Sequence, residues 1–289
     1  MFDSNPNLIQ EPVNRPFARK VPLILMHDGG GTVFSYHCLG DLSRPLYGIY
    51  NPCYHSGGSW EGGIPEMARH YVDLIKESVP KEDIIIGGWS LGGLLSVEMA
   101  HIMAGDLEHN VIGIVMIDSV YPKIMQNVSG TKIVQHAMQW NEHTRQETRD
   151  AVQRCFSEAS KMVGQWTLPT WGGGDDEATT NGVTAGANAN GHATEPKAPA
   201  PPPVMLLRAQ EAVPVEGDGT SRVDVSRKDR LLGWGLYRDK FITQVFDIPG
   251  HHFSIFTSDD RLKAVTEKIK LACYQLESKA AMRARARGL

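Results

Sequence analysis

The chain has 289 residues, of which 41% are hydrophobic, 8% aromatic and 21% charged, a composition typical of soluble globular domains. Its formal net charge of −4 is small and evenly spread, so the sequence lacks the basic surface that nucleic-acid binding requires. Its apolar runs are too short to span a bilayer, and its first residues lack the regions of a secretory signal, so we expect a cytoplasmic protein with no membrane span.

Metal and disulfide patterns are not evident. The four cysteines, Cys38, Cys53, Cys155 and Cys273, are widely spaced with no CxxC pair, which favours free thiols in a reducing compartment over a zinc site or a disulfide framework. No HExxH or comparable ligand spacing occurs, so we expect no metal.

Short apolar runs dominate the first half of the chain, after an expected N-terminal extension at 1–20. They lie at 21–27, 46–50, 84–88 and 111–117 and are apolar on both alternating faces. Strands of a parallel sheet that is covered on both sides have this pattern.

Helical periods separate these runs. Apolar residues recur at i, i+3, i+4, i+7, i+8 and i+11 over 64–75, which predicts an amphipathic helix, and a nearly continuous apolar helix is predicted at 91–104. Strands that alternate with helices at this spacing predict an α/β fold with a mostly parallel, doubly wound sheet.

An insertion follows the fourth strand. Helical stretches are expected from about 132 to 162, within an insertion at about 119–163. The segment at about 172–203 has 6 glycines and 5 prolines in 32 residues and one large aliphatic residue, so we expect it to be disordered.

The pattern of strands then resumes. Apolar runs at 204–208 and 244–248 predict two further strands, and a closing helix is expected at about 258–276. We therefore expect one domain over 21–277, interrupted by the insertion, and a C-terminal tail at 278–289.

The strongest local motif is Gly88-Trp89-Ser90-Leu91-Gly92, between a predicted strand and a predicted helix. This is the setting of a nucleophile elbow, in which the turn is so tight that a Cβ at Gly88 or Gly92 would collide with neighbouring backbone. Ser90 would then project its hydroxyl above the sheet in a strained conformation. A serine that merely caps a helix does not explain a glycine at both flanking positions.

A serine hydroxyl needs a base to remove its proton. Among the eleven histidines, His251 and His252 follow the last predicted strand, at the carboxyl edge of the sheet where active sites of open α/β folds lie. We favour His252 as the base.

The imidazole in turn needs a carboxylate. Asp118 directly ends the strand at 111–117, and an alternative acid after the strand at 204–208 is Glu211, Asp218 or Asp229. Position favours Asp118, because it ends a strand, whereas the alternatives lie in a polar loop.

An oxyanion hole is expected from two backbone amides. One is the amide of Leu91 at the start of a helix, and the other is that of Gly29 in the glycine-rich loop after the first strand. A phosphate-binding loop would need a GK[ST] or GxGxxG sequence, and neither is present. The neighbouring Asp28, Gly30 and Trp89 are candidates for the substrate side of the site, although packing is the ordinary role of a tryptophan.

Four stretches together resemble one family. They are PLILMHDGGGTVFSYHCL, GGWSLGGLLSVEMA, VIGIVMIDS and PGHHFSIF. They look like the α/β-hydrolase thioesterases that release products from polyketide synthases and nonribosomal peptide synthetases, and most like the fungal polyketide-associated type. The resemblance covers about 21–276 without the segment at 172–203, which departs from the family pattern.

The resemblance implies an α/β-hydrolase fold with a helical lid at about 119–163. It places the catalytic acid at Asp118 and the histidine at His252. It further implies that Ser90 takes an acyl chain from the phosphopantetheine arm of an acyl carrier protein or polyketide synthase and releases it by hydrolysis or cyclisation. The enzyme would need no cofactor of its own.

Two other functions stay open from the sequence. A carboxylesterase or lipase would use the same three residues on a plain ester, and a noncatalytic binding protein could share the fold. Hydrolysis of an acyl thioester separates the first alternative from a thioesterase, and labelling of Ser90 by a fluorophosphonate excludes the second.

Overall fold

The structure is a computed structural model that describes residues 4–12, 20–124, 132–134, 140, 142–172 and 199–286. The strands in chain order are β1 Asn7–Gln10, β2 Leu23–Met26, β3 Leu46–Ile49, β4 Ile84–Trp89, β5 Val111–Ile117, β6 Ile133–Val134, β7 Val204–Ala209, β8 Thr220–Ser221 and β9 Ile242–Ile248. The helices are α1 Phe34–His37, α2 Cys53–Ser56, α3 Gly63–Ser78, α4 Leu91–Ile102, α5 Gln146–Gln165 and α6 Asp259–Ala286.

Seven strands form one sheet in the order β1-β3-β2-β4-β5-β7-β9. Every neighbouring pair is parallel except β1 with β3. The parallel strands therefore end at one common edge, at which the loops after β2, β4, β5 and β9 converge.

Apolar side chains cover both faces of the sheet. In β2, Ile24 and Met26 pack with the buried faces of α3 and α4, while Leu23 and Leu25 pack with the buried face of α6. Because both faces are buried, the strands read as continuous apolar runs, and the predicted α/β fold with a doubly wound sheet is confirmed.

The sheet and the last helix extend beyond the predicted domain boundaries of 21–277. Residues Asn7–Gln10 form the antiparallel edge strand β1, and α6 continues to Ala286. The side chain of Gln10 holds this edge, because its amide contacts the carbonyl groups of Leu39 and Gly40 and accepts a hydrogen bond from the amide of Leu42. Only two of its four residues are apolar and none is fully buried, so no apolar run marks this edge strand in the sequence.

The described residues of the insertion contain less helix than predicted. The helix α5 begins at Gln146, not near 132, and Ile133–Val134 instead pairs in parallel with Thr220–Ser221. This pairing joins distant parts of the chain and overrides the local helical pattern. Residues 140 and 142–145 of the predicted helical stretch are not helical, and residues 135–139 and 141 lie outside the described residues.

Most of the segment predicted to be disordered, 173–198, also lies outside the described residues. Residues 172 and 199–203, at the two ends of the predicted segment, are described. The amide of Gly172 donates to the carbonyl of Pro199 at 2.9 Å, and the carbonyl of Pro203 accepts from the amide of Ile114 at 3.0 Å, which continues the ladder between β5 and β7. The two ends of the segment are therefore adjacent.

We expect replacement of 173–198 by a linker of about four residues to change the free energy of unfolding by less than about 2 kcal/mol, because the ends already meet and closure entropy depends weakly on loop length. Chemical denaturation of both proteins measures this difference. A larger loss of stability would contradict the prediction and show that the segment contributes to the fold.

Candidate active site

The turn between β4 and α4 presents Ser90. This residue has φ 54° and ψ −113°, a positive φ that is strained for a side chain other than glycine. Its amide donates to the carbonyl of Ile117 at 2.9 Å, so the ladder between β4 and β5 continues into the turn and holds the strained residue in place.

The glycines beside Ser90 are required by close backbone approach. A Cβ at Gly88 would lie 2.6 Å from the carbonyl oxygen of Met26 and 2.7 Å from the Cα of Gly92, and a Cβ at Gly92 would overlap the same Met26 oxygen. The chain can therefore make this turn against the end of β2 only with glycine at both positions.

His252 joins Ser90 to Asp118. Its Nε2 lies 3.1 Å from Ser90 Oγ, and its Nδ1 lies 2.8 Å from Asp118 Oδ2. The imidazole and the carboxylate are buried, with residue exposures of 2% and 0%. With its proton on Nδ1, neutral His252 donates to Asp118 and presents Nε2 as the acceptor for the serine hydroxyl. The three residues favoured from the sequence thus form one hydrogen-bonded line.

The carboxylate of Asp118 is held by further donors. The amide of Ala209 contacts its Oδ1 at 2.8 Å, and the guanidinium of Arg227 contacts both oxygens. Burial by itself raises the pKa of Asp118, but the hydrogen bonds from His252 and Arg227 outweigh it and lower the pKa to about 2. The group is therefore a carboxylate at neutral pH.

The alternative acids have other roles. Glu211 Oε1 accepts from the amide of Gly250, two residues before His252, and so supports the histidine loop. Asp229 accepts from the amides of Leu231 and Gly233 in a turn. Asp218 lies exposed before β8.

The glycine-rich loop lies beneath the inserted helix α5. A Cβ at Gly29 would lie 2.7 Å from the ring of Phe156, which covers the loop. Asp28 Oδ1 accepts from the amide of Gly30 at 3.0 Å and shapes the turn. Gly29 and Leu91, the two predicted oxyanion residues, both line the groove described below.

Trp89 packs behind the histidine. Its ring centroid lies 5.6 Å from that of His252 and 5.2 Å from that of Phe256. Its amide donates to the hydroxyl of Tyr36 at 2.8 Å, and that hydroxyl donates to the carbonyl of Met26 at 2.7 Å. Tyr36 therefore ties the end of β2 to the elbow, a role that no local pattern indicated.

A groove of about 830 Å³ runs from the elbow beneath α5. Trp89, Asp28 and Gly30 are not among the described residues that line it. Its lining is mainly apolar, with a few hydroxyl, amide and cationic groups, and consists of Gly29, Ser90, Leu91, Leu94, Val120, Tyr121, Pro122, Ile124, Val134, Gln153, Phe156, Ser157, Ala159, Ser160, Val163, Ser221, Arg222, Val223, His252 and Phe253. Such a groove fits a chain that is apolar over most of its length.

Across the described part of the chain, no group of three or more His, Cys, Asp or Glu side chains can hold a metal ion. Over those residues, no helix combines the length and the apolar character that crossing a bilayer demands.

A serine on a strand-turn-helix elbow, hydrogen-bonded to a histidine at the carboxyl edge of a mostly parallel sheet, defines the class as a serine hydrolase of the α/β-hydrolase fold. Comparison with known proteins narrows the class. The family model named Thioesterase domain matches residues 21–165. The chain belongs to this thioesterase family, whose members are serine hydrolases that act on acyl thioesters.

Relatives support the same assignment. The probable thioesterase gloN of Glarea lozoyensis is 37% identical over 292 residues, which cover 96% of this chain and 100% of that protein. The nonribosomal peptide synthetase imqB of Aspergillus flavus is 33% identical over 264 residues, which cover 90% of this chain and 8% of that protein. The crystal structure of the NocB thioesterase domain from the nocardicin cluster shares the fold, with 21% identity, a TM-score of 0.56, and coverage of 89% of this chain and 96% of that chain.

The carboxyl group of Asp28, next to the site, has a raised pKa whose effect on the stability of the protein can be measured. Burial raises its pKa from 3.8 to about 6, opposed by the amide of Gly30 and by His252. The folded protein thus binds this proton more tightly than the unfolded chain does. Ionising Asp28 therefore costs stability progressively between about pH 4 and pH 6, and in full above pH 6.

We expect Asp28→Asn to raise the melting temperature relative to the native protein at pH 8, and we expect this gain to disappear as the pH falls from 6 to 4. Thermal unfolding across this range measures it. Asp41→Asn is the matched control, since Asp41 also accepts from an amide two residues on but is exposed, with a lowered pKa. A gain in both variants at pH 8 would contradict the prediction.

Proposed function

We propose that this thioesterase releases an acyl chain from a carrier protein through an acyl-enzyme on Ser90, with His252 as general base and acid and Asp118 as its partner. The observation that carries the proposal is the line of hydrogen bonds from Ser90 Oγ through His252 to Asp118, which opens onto the apolar groove. A partly exposed nucleophile beside a groove for an apolar chain is the arrangement that acyl transfer requires.

In the first half-reaction, the proton of Ser90 Oγ passes to His252 Nε2 while the oxygen attacks the thioester carbonyl. The carbonyl oxygen then becomes an oxyanion, to which the amides of Leu91 and Gly29 donate in the proposal. The C–S bond breaks as the tetrahedral centre collapses, and the imidazolium gives its proton to the leaving sulfur. Asp118 holds the imidazole and stabilises its charged form.

In the second half-reaction, His252 takes a proton from the next nucleophile, which attacks the acyl-serine ester. Water yields the free acid, and a hydroxyl or amine within the chain yields a ring. The C–O bond to Ser90 breaks, and the serine oxygen recovers the proton from His252. The groove favours an apolar chain, while Gln153, Ser157 and Ser160 offer hydrogen bonds along one side.

The thioester is proposed to arrive on the phosphopantetheine arm of an acyl carrier protein or polyketide synthase. One relative carries the matching region within a nonribosomal peptide synthetase, and another is matched over its whole length. A cytoplasmic location accords with four cysteines that are all unpaired.

The decisive test uses a carrier protein loaded with candidate acyl chains, with the released product identified by mass spectrometry. We expect Ser90→Ala to abolish release while the protein keeps its melting temperature, because the side chain is only partly buried and the glycines, not the hydroxyl, make the turn. Ser78→Ala at the exposed end of α3 is the control and should release product at the native rate. Release by Ser90→Ala at the native rate would overturn the proposed nucleophile.

A kinetic comparison of two soluble substrates separates a thioesterase from a carboxylesterase. An acyl thioester of a soluble pantetheine analogue and the matching oxygen ester are compared by kcat/KM. We expect the thioester to be preferred. Preference for the plain ester, with no release from the carrier protein, would favour the carboxylesterase alternative.

Asp118→Asn tests the acid of the proposed triad. An asparagine amide has one accepting oxygen and no negative charge, so it cannot hold the imidazole of His252 in this tautomer and stabilise an imidazolium as the carboxylate does. We therefore expect kcat to fall by about 10⁴-fold. Glu211→Gln is the comparison, because that acid was the alternative and contacts the amide of Gly250 instead. A greater loss in Glu211→Gln than in Asp118→Asn would transfer the role to the second acid.

A further inference from the structure

A buried arginine grips the acid of the proposed triad. Arg227 Nη1 lies 2.6 Å from Asp118 Oδ1, and its Nη2 lies 2.8 Å from Asp118 Oδ2. Arg227 comes from the loop between β8 and β9 and is 109 residues from Asp118 in sequence. A guanidinium that meets both oxygens of a carboxylate fixes the plane of that carboxylate as well as its position.

Every N–H group of Arg227 and both carboxylate oxygens of Asp118 have hydrogen-bond partners. The five N–H groups of Arg227 all have acceptors, which are the two oxygens of Asp118, one oxygen of Asp224 and the carbonyl groups of Ala209 and Val223. Asp118 accepts four hydrogen bonds in return, two on each oxygen. Neither group can rotate without breaking several of them, so Asp118 Oδ2 is held toward His252.

A second carboxylate completes the charge balance. Asp224 Oδ1 accepts from Arg227 Nε at 2.8 Å, and its Oδ2 accepts from the amide of Val213 at 2.7 Å. The exposure of Asp118 is 0%, and that of both Arg227 and Asp224 is 8%. Alone, Arg227 would cancel the charge of Asp118 and weaken its attraction for an imidazolium. Asp224 restores one net negative charge to the buried group.

We propose that Arg227 is a positioning residue that orients the Asp118 carboxylate toward His252, and that Asp224 restores the negative charge that favours protonation of His252 during acyl transfer. The inference rests on the proposed role of the triad. It adds a function for two residues that do not touch the substrate. The set extends the line of hydrogen bonds from Ser90 to Asp224 through His252, Asp118 and Arg227.

Other charged groups around this line are few in the described residues. Asp28 interacts electrostatically with His252 from the glycine-rich loop. Arg208 Nη1 contacts the backbone carbonyl of Arg227 at 3.4 Å and pairs with Asp247. Both groups remain in every variant below, so differences between variants report on Arg227 and Asp224.

The experiment compares Arg227→Lys, Arg227→Met, Asp224→Asn and the double variant Arg227→Met with Asp224→Asn. The pH dependence of kcat/KM is measured on the acyl thioester. Its acid limb, the fall in kcat/KM at low pH, reports protonation of the proposed base His252 in the enzyme without bound substrate. The rate at which a fluorophosphonate labels Ser90 is measured over the same pH range. This labelling rate measures how strongly Ser90 is activated, and it does not require the natural substrate.

Charge predicts opposite displacements of the acid limb. Arg227→Met removes a positive charge two hydrogen bonds from His252, so its imidazolium forms more readily and the limb moves to higher pH, by on the order of one unit. Asp224→Asn removes a negative charge, so the limb moves to lower pH. In the double variant the two displacements largely cancel.

Arg227→Lys separates position from charge. Lysine keeps the positive charge but cannot contact both carboxylate oxygens with a planar fork, so we expect the limb to stay near its native position while kcat falls by roughly 10- to 100-fold. If Arg227→Met does not fold, Arg227→Lys and Asp224→Asn still give the two independent readouts.

The matched control is Arg44→Met. Arg44 is a buried arginine with a carboxylate partner, Glu277, at 3.0 Å, and it lies at the start of β3, away from the carboxyl edge of the sheet. We expect this variant to lose stability without moving the acid limb. An acid limb that stays at the native pH in Asp224→Asn, together with an unchanged kcat in Arg227→Lys, would overturn the inference. Failure of the native protein to label at Ser90 would instead refute the proposed triad.

Discussion

The carboxylate of Asp118 is the group on which the geometry of the site depends. It directly follows β5. Its four hydrogen bonds reach β7 through Ala209, the loop between β8 and β9 through Arg227, and the loop after β9 through His252. A buried carboxylate with no partners would be strongly unfavourable, so these contacts also stabilise the arrangement of the strands that supply them. The hydrogen bonds that stabilise the buried charge also orient the carboxylate toward the imidazole of His252.

Backbone approach between β2 and β4 imposes the second constraint. The carbonyl of Met26 lies so close to Gly88 and Gly92 that no side chain fits there, and the hydroxyl of Tyr36 joins that carbonyl to the amide of Trp89. The strained Ser90 is therefore supported on both sides. Strain at Ser90 persists because the surrounding hydrogen bonds hold the backbone in this conformation.

The inserted helix α5 forms part of the wall of the groove beside Ser90. Phe156 packs over Gly29 in the glycine-rich loop, while other residues of the helix line the groove beside Ser90. The insertion thus forms part of the groove in which we propose that the acyl chain binds. Differences in this helix between members of the family would alter the shape of the groove without changing the sheet or the elbow, since loops and insertions tolerate changes that a buried core does not.

The sequence by itself determined the parallel sheet, the elbow at Ser90, and the favoured partners Asp118 and His252, because each follows from a local pattern and from the common edge at which parallel strands end. It could not show the edge strand β1, which has only two apolar residues and is partly exposed. Nor could it show the pairing of Ile133–Val134 with Thr220–Ser221, which overrides local helical propensity. Only the tertiary structure brought Arg227 and Asp224 to the site. A contact between residues 109 positions apart depends on strand register and on the path of the loops. No local pattern in the sequence distinguishes Arg227 from another arginine in a polar loop.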